Sequence, residues 1–189
     1  MLRAYFGHHK CASTWIREIV EQVLREAGLR TVVFVDERTP LEHSPLVNYD
    51  HDVHLERSEI GPFVRTHGYD FVSCITADAQ QVNGLETPLK AFHVIRDPRD
   101  IIVSAYFSHR NSHPTENLPH LADHRERLRR VSKEEGLLLE MEFSSQQLRD
   151  MAEWDYDQPN ILELKMEDLT ARPYEGFLRS EEHTSELQS

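Results

Sequence analysis

Cysteine and glycine are both scarce in this 189-residue chain, which has two of the first, Cys11 and Cys74, and seven of the second. Two cysteines exclude the disulfide framework that small secreted domains depend on. No run of 18 apolar residues occurs, which argues against a membrane-spanning helix. The chain opens directly on a strand pattern with no secretory leader, so the expected location is cytoplasmic. Basic residues are outnumbered, 21 Lys and Arg against 33 Asp and Glu, and the net charge of −12 argues against a nucleic-acid partner. No internal repeat is visible. What is present, 39% apolar residues over this length, is enough for one domain with one core.

Strand-like and helix-like patterns alternate along the chain. Leu2 to Phe6, Thr31 to Val35, Phe71 to Thr76, Leu89 to Ile95 and Ile161 to Met166 read as short buried strands. Ile16, Ile19, Val20, Val23, Leu24 and Ala27 follow the spacing of one helical face, with Arg17, Glu18, Glu21, Gln22, Arg25 and Glu26 expected toward solvent. Further helices are expected over Ser58 to His67, after Asp97, over Leu121 to Val131, over Glu134 to Trp154 and from Arg172 onward. Residues 36–57, with Pro40 and Pro45, read as an irregular loop suited to binding an acceptor.

Chemistry concentrates first in Tyr5-Phe-Gly-His-His-Lys-Cys-Ala-Ser-Thr-Trp15, between the first strand and the first helix. A loop feeding a helix start offers unpaired N–H groups and the positive end of the helix dipole, and Lys10, Ser13 and Thr14 add a charge and two donors. That combination suits a phosphate-like group. The nucleoside-triphosphate cradle G-x-x-x-x-G-K-[ST] is not matched, because Lys10 precedes Ser13 by three positions. No Asp follows a strand in a position to hold Mg²⁺, so a phosphate-loop kinase is the weaker alternative.

The second concentration is Ala91-Phe-His-Val-Ile-Arg-Asp-Pro-Arg-Asp-Ile-Ile-Val-Ser104, an apolar strand ending in Arg96 that turns at once into a helix. Asp97 suits the N-cap, Pro98 the first helical position, and Asp100 the reach-back position of a capping box. Ser104 lies two turns along, so Arg96, with its planar fork, and Ser104 are expected to converge on one anionic ligand.

Together the two segments resemble the sulfotransferase family that uses 3′-phosphoadenosine 5′-phosphosulfate (PAPS). Lys10-Cys-Ala-Ser-Thr-Trp15 is similar to the family's Lys-Ser-Gly-Thr-Thr-Trp loop, and Arg96-Asp-Pro-Arg-Asp-Ile-Ile-Val-Ser104 matches Arg-x-Pro-[Lys/Arg]-Asp-x-x-x-Ser at every fixed position. Ile161 to Leu169 resembles the strand that ends in Tyr-Glu-Asp-Leu. The resemblance implies a three-layer α/β fold with a central parallel sheet and helices on both faces, P-loop-like and nucleotide-binding. It implies PAPS as co-substrate, no metal, and a small-molecule or glycan acceptor bearing a hydroxyl or amine. Lys10 would contact the bridging oxygen and the sulfuryl group. Cys11, Ala12, Ser13 and Thr14, with the loop amides, would hold the 5′-phosphate, Trp15 would lie against adenine, and Arg96 and Ser104 would bind the 3′-phosphate. Cys11 and Ala12 depart from the usual Ser and Gly.

Arg65-Thr-His67 resembles the family's Lys-Thr-His, which makes His67 the candidate base, with His8, His9 and Asp78 as further candidates. His67 also fits a plainer role, in the last turn of a helix closed by Gly68. Cys11, beside Lys10 at a helix start, reads as a small neutral loop filler rather than a reactive thiol. Among the twelve histidines, His120-x-x-x-His124 reads as an exposed helix face, and no metal site is expected. Residues 179–189 resemble a translated sequencing-adapter oligonucleotide, so the expected domain is 1–178, truncated before the family's C-terminal Gly-rich loop. A non-catalytic nucleotide-binding module is the remaining alternative.

Overall fold

The computed structural model describes residues 1–34, 57–85, 88–116 and 118–185. Within these, β1 (Leu2–Phe6), β2 (Thr31–Phe34), β3 (Phe71–Cys74), β4 (Leu89–Ile95) and β5 (Ile161–Lys165) form one sheet in the order β2-β3-β1-β4-β5. Every neighbouring pair is parallel. Parallel strands are buried on both faces, which is why these segments read as nearly continuous apolar runs. Leu2, Ala4 and Phe6 of β1 join Val32, Val72, Cys74 and Ala91 on one face, while Tyr5 joins Phe71, Phe92, Val94 and Leu164 on the other.

Helices cover both faces, giving the three-layer α/β architecture expected from the sequence. Ile60 and Val64 of α2 (Arg57–His67) and Leu85, just after α3 (Ala79–Gly84), pack on the first face. Ile16 of α1 (Ser13–Glu26), Leu169 of α8 (Met166–Ala171) and Phe177 of α9 (Pro173–Ser185) pack on the second. A separate helical group stands beyond the end of β4: α4 (Pro98–Asn111) packs against α5 (Pro119–Arg129) and α6 (Lys133–Phe143), followed by α7 (Ser145–Ala152).

Several local readings change. The helix expected over Glu134 to Trp154 is two, broken at Ser144, whose hydroxyl donates to Glu140 Oε1 at 2.8 Å. Arg17 and Glu21, expected toward solvent, are 7% and 3% exposed. They are buried as an ion pair, Nε to Oε1 3.7 Å, so each supplies the other's countercharge. Val23, expected in the core, is 59% exposed and lines an apolar groove of about 410 Å³ between α1 and α9. The short helices α3 and α8 have no counterpart in the sequence reading. The loop expected over 36–57 lies outside the described residues, apart from Arg57 at the start of α2. The tail expected from residue 179 continues α9 as far as Ser185, with Ser180 and Thr184 buried and the Thr184 carbonyl accepting from Arg3 Nε at 3.3 Å.

Gly7 carries the chain out of β1, donating to the Cys74 carbonyl and accepting from Ala77 N–H, each at 2.8 Å. A Cβ here would stand 2.2 Å from Tyr5 Oη and 2.6 Å from Cζ, on a ring that is fully buried and stacked on Phe92. Gly7→Ala is expected to lower stability by about 1–3 kcal/mol in denaturant unfolding, and an unchanged midpoint would show that the ring can yield.

Candidate functional site

The site forms where β1 and β4, adjacent in the sheet, release the chain at their C-terminal ends. Strands β3 and β4 lie on opposite sides of β1, so the connections diverge here and leave a crevice. After β1 the backbone takes a left-handed conformation twice, at Lys10 (φ 65°) and at Ala12 (φ 59°). Each costs about 1–2 kcal/mol for a residue with a side chain. The loop closes with Cys11 N–H donating to the His8 carbonyl at 3.1 Å, and α1 starts at Ser13.

Ala12 is the N-cap of α1 and supplies no side-chain acceptor. The first intrahelical bond runs from Ile16 N–H to the Ala12 carbonyl at 3.0 Å. Ser13, Thr14 and Trp15 therefore carry N–H groups with no acceptor inside the helix, at the positive end of its dipole. The glycine that the resemblance calls for at position 12 now has a physical reason, because position 12 is left-handed.

Arg96, just past β4, braces this loop: its Nη1 donates to the Lys10 carbonyl at 2.9 Å. Its Nε is buried with no hydrogen-bond partner among the described residues. Asp97 caps α4 by accepting from Arg99 N–H at 2.9 Å, with Pro98 as the first helical residue, as expected. The capping box does not form as drawn from the sequence. Asp97 N–H donates to Glu167 Oε1 of α8 at 3.2 Å, a partner from the far side of β5.

These elements enclose a cleft of about 670 Å³ lined by Lys10, Ser13, Thr14, Trp15, Arg96 and Ser104, with Ala12 at its floor. Trp15 is partly exposed and meets Phe177 edge-on at 5.6 Å. Burial lowers the pKa of Lys10, and the Arg96 guanidinium lowers it further. Seven of the expected cofactor residues are thereby brought together.

Cys11 and His67 are not. Cys11 is fully buried in a cluster with Ile101 and Met151, and burial pushes its thiol up to about 12. That is the loop-filler role. His67 ends α2, directly before β3, and so lies at the end of the sheet opposite the cleft. Its Nδ1 donates to the Phe63 carbonyl at 2.9 Å and its ring lies 4.2 Å from that of Phe63. Gly68 follows at φ 62°, the helix-capping conformation. His67 thus stands as a helix-terminal residue away from the cleft, the plainer of the two roles the sequence allows it. Asp78 is buried past β3 and does not line the cleft.

His8 and His9 each begin a chain of polar contacts, and the two chains run in opposite directions. His8 Nε2 meets His93 Nε2 at 2.8 Å, and His93 Nδ1 donates to Glu163 Oε2 at 2.7 Å. Trp154 Nε1 donates to the other oxygen of Glu163 at 2.9 Å, with its indole stacked 4.0 Å from the His93 ring. Burial, then His93, lowers the His8 pKa to about 3. His9 Nε2 meets His109 Nε2 at 3.1 Å, and His109 Nδ1 donates to Glu140 Oε1 at 3.0 Å. Glu140 Oε2 accepts from His124 Nε2 at 2.9 Å. Burial works to raise the Glu140 pKa, but the bonds from His109, His124 and Ser144 prevail and hold it below the usual range.

His9 and His113 line the cleft beside Lys10. Burial first, then neighbouring charges, takes the pKa of His9 down to about 3, and burial also lowers that of His113. The sequence reading sets His109 and His113 aside with the other histidines, although their separation of four residues is a spacing that can bring two rings together.

The sulfotransferase domain family matches residues 6–179, and the chain belongs to that family. No curated protein matches. Among solved structures, mouse sulfotransferase SULT7A1 complexed with PAP aligns over 100% of this chain and 61% of its own, at 10% identity and a TM-score of 0.59. Retinol dehydratase in complex with androsterone and inactive cofactor PAP aligns over 99% and 60%, at 16% identity and a TM-score of 0.48. The chain thus spans about three-fifths of the length of these structures. Among the described residues no helix is long and apolar enough to cross a membrane.

Two outcomes follow from the loop. A thiol reagent at pH 8 is expected to label neither Cys11 nor Cys74 in the folded protein and both after denaturation, since burial raises both thiols. Labelling of Cys11 before unfolding, located by peptide mapping, would place it at the surface. Ala12→Val, a branched side chain at positive φ, is expected to lower the unfolding midpoint, whereas Ala12→Gly is expected to keep or raise it.

Proposed function

We propose that this chain transfers a sulfuryl group from PAPS to a hydroxyl or amine of a small-molecule or glycan acceptor. The observation that carries this reading is the convergence, in one cleft, of the uncapped start of α1 and Lys10 with Arg96 and Ser104. It brings anion-binding groups from the ends of two strands into one crevice, as a nucleotide with phosphates at both 5′ and 3′ positions requires. The buried, unpaired Nε of the half-buried Arg96 supports the fit, because a buried donor without a partner is costly unless a ligand takes it.

Bound there, PAPS supplies the sulfuryl group and leaves as the adenosine 3′,5′-bisphosphate. The N–H groups of Ser13, Thr14 and Trp15, with the hydroxyls of Ser13 and Thr14, hold the 5′-phosphate. Arg96 and Ser104 hold the 3′-phosphate, and Trp15 offers its face to the base. Lys10 neutralises charge growing on the leaving oxygen, and because the loop fixes it before reaction begins, little reorganisation is needed. His9 and His113 supply the basic nitrogens next to Lys10, in place of His67.

Calorimetry with adenosine 3′,5′-bisphosphate, compared with ATP and Mg²⁺, tests the reading. The bisphosphate is expected to bind more tightly and without metal. Arg96→Ala is expected to weaken it about tenfold to a hundredfold, the worth of about 1.5–3 kcal/mol for hydrogen bonds to a charged group. Tighter, Mg²⁺-dependent ATP binding would replace this reading with that of a kinase.

A further inference from the structure

The histidine cluster beside Lys10 has a geometry that proton transfer alone does not call for. His9, His109 and His113 each offer a ring nitrogen within 4.8 Å of those of the other two. They come from three places: the phosphate loop, the last turn of α4, and the segment just after it. Hydrogen bonding fixes two of the rings. His109 Nδ1 donates to a carboxylate, Glu140 Oε1, and His113 Nδ1 donates to the Pro114 carbonyl at 2.8 Å. Neither acceptor can donate, so both rings carry their proton on Nδ1 and keep a lone pair on Nε2. His109 Nε2 therefore accepts from His9 Nε2–H in the metal-free protein.

We propose that His9, His109 and His113 form a binding site for a divalent transition metal of the zinc type, with its open coordination position facing the cleft. Three imidazoles with one position left open are the ligand set of a reactive zinc site rather than a structural one. Glu140 completes the arrangement in the way metal-ligating histidines require, by orienting a ligand ring and raising its basicity. Glu140 is itself fully buried and held by His124 and Ser144, so it cannot turn away. The chemistry balances without an added base: the proton that His9 shares with His109 moves to His9 Nδ1, and Nε2 takes the metal. Lys10 and Arg125 are cations beside the site, and the Glu140 carboxylate works against the first of them.

On the sulfotransferase reading, and only there, a metal at this point would take up the His9 and His113 nitrogens that otherwise serve as bases, and would itself lower the pKa of an acceptor oxygen in its open position.

Titration of the folded chain with Co²⁺ tests the site directly, because tetrahedral Co²⁺ gives intense visible bands. One equivalent is expected to bind, with the bands abolished by excess Zn²⁺. His113→Asn, at a partly exposed position, is expected to abolish the bands, and Glu140→Gln to weaken binding about 10- to 100-fold. Because Glu140→Gln removes a buried hub, its fold is checked by circular dichroism, while His113→Asn carries the test alone if that variant unfolds. Absence of bands, or bands unchanged in His113→Asn, would overturn the site and assign any bound ion to other histidines. Binding of adenosine 3′,5′-bisphosphate, measured on the same samples, reads the cofactor site separately, so failure of one proposal is distinguishable from failure of the other.

Discussion

The hydrogen bond from Arg96 to the Lys10 carbonyl is the contact on which the site rests. A loop with two left-handed residues, neither of them glycine, is unstable by itself. It persists because the neighbouring strand delivers a guanidinium to its carbonyl, and because Cys11 is locked into the cluster of Ile101 and Met151 beneath it. The same guanidinium keeps a second N–H for a ligand. One residue thus shapes the anion cradle and lines the same cleft, which ties the loop's conformation to the site it serves.

Much of this was legible because it is local. Asp97 and Pro98 announce a helix start in adjacent positions, and the apolar runs of β1 and β4 have the length and composition of doubly buried strands. The spacing of Lys10, Ser13 and Thr14 needs no partner to be recognised. What failed depended on distant residues. Arg65-Thr66-His67 carries the right residue types, but strand order decides which end of the sheet they occupy, and α2 runs into β3 at the wrong one. Arg17 and Glu21 read as solvated because each is charged, and they are buried because they answer each other across one helical turn. The break at Ser144 leaves no mark on helical periodicity, since its cause is the demand of Glu140 for another donor.

Glu140 organises the helical group beside the sheet. A fully buried carboxylate is expensive unless its lone pairs are used, and three donors from three segments use them. Arg125 adds donations to the carbonyls of His109 and His113, so the end of α4 is tied to α5 as well as to α6. The expectation of no metal came from weighing His120 with His124. In the fold, His124 is spent on Glu140, and the nitrogens that meet in the cleft wall belong to other rings.

The two consecutive histidines that precede Lys10 point to opposite sides of the loop, one toward β4 and β5, the other toward α4 and α6. Each is the first member of a three-residue set whose other members lie at least 85 positions away in the chain. A substitution at position 8 therefore leaves His93 Nε2 without its partner, and one at position 9 leaves His109 Nε2 without its own, while neither touches the other set. Among homologous genes, positions 8, 93 and 163 should vary as one group and positions 9, 109 and 140 as another, so that two adjacent codons carry independent evolutionary histories.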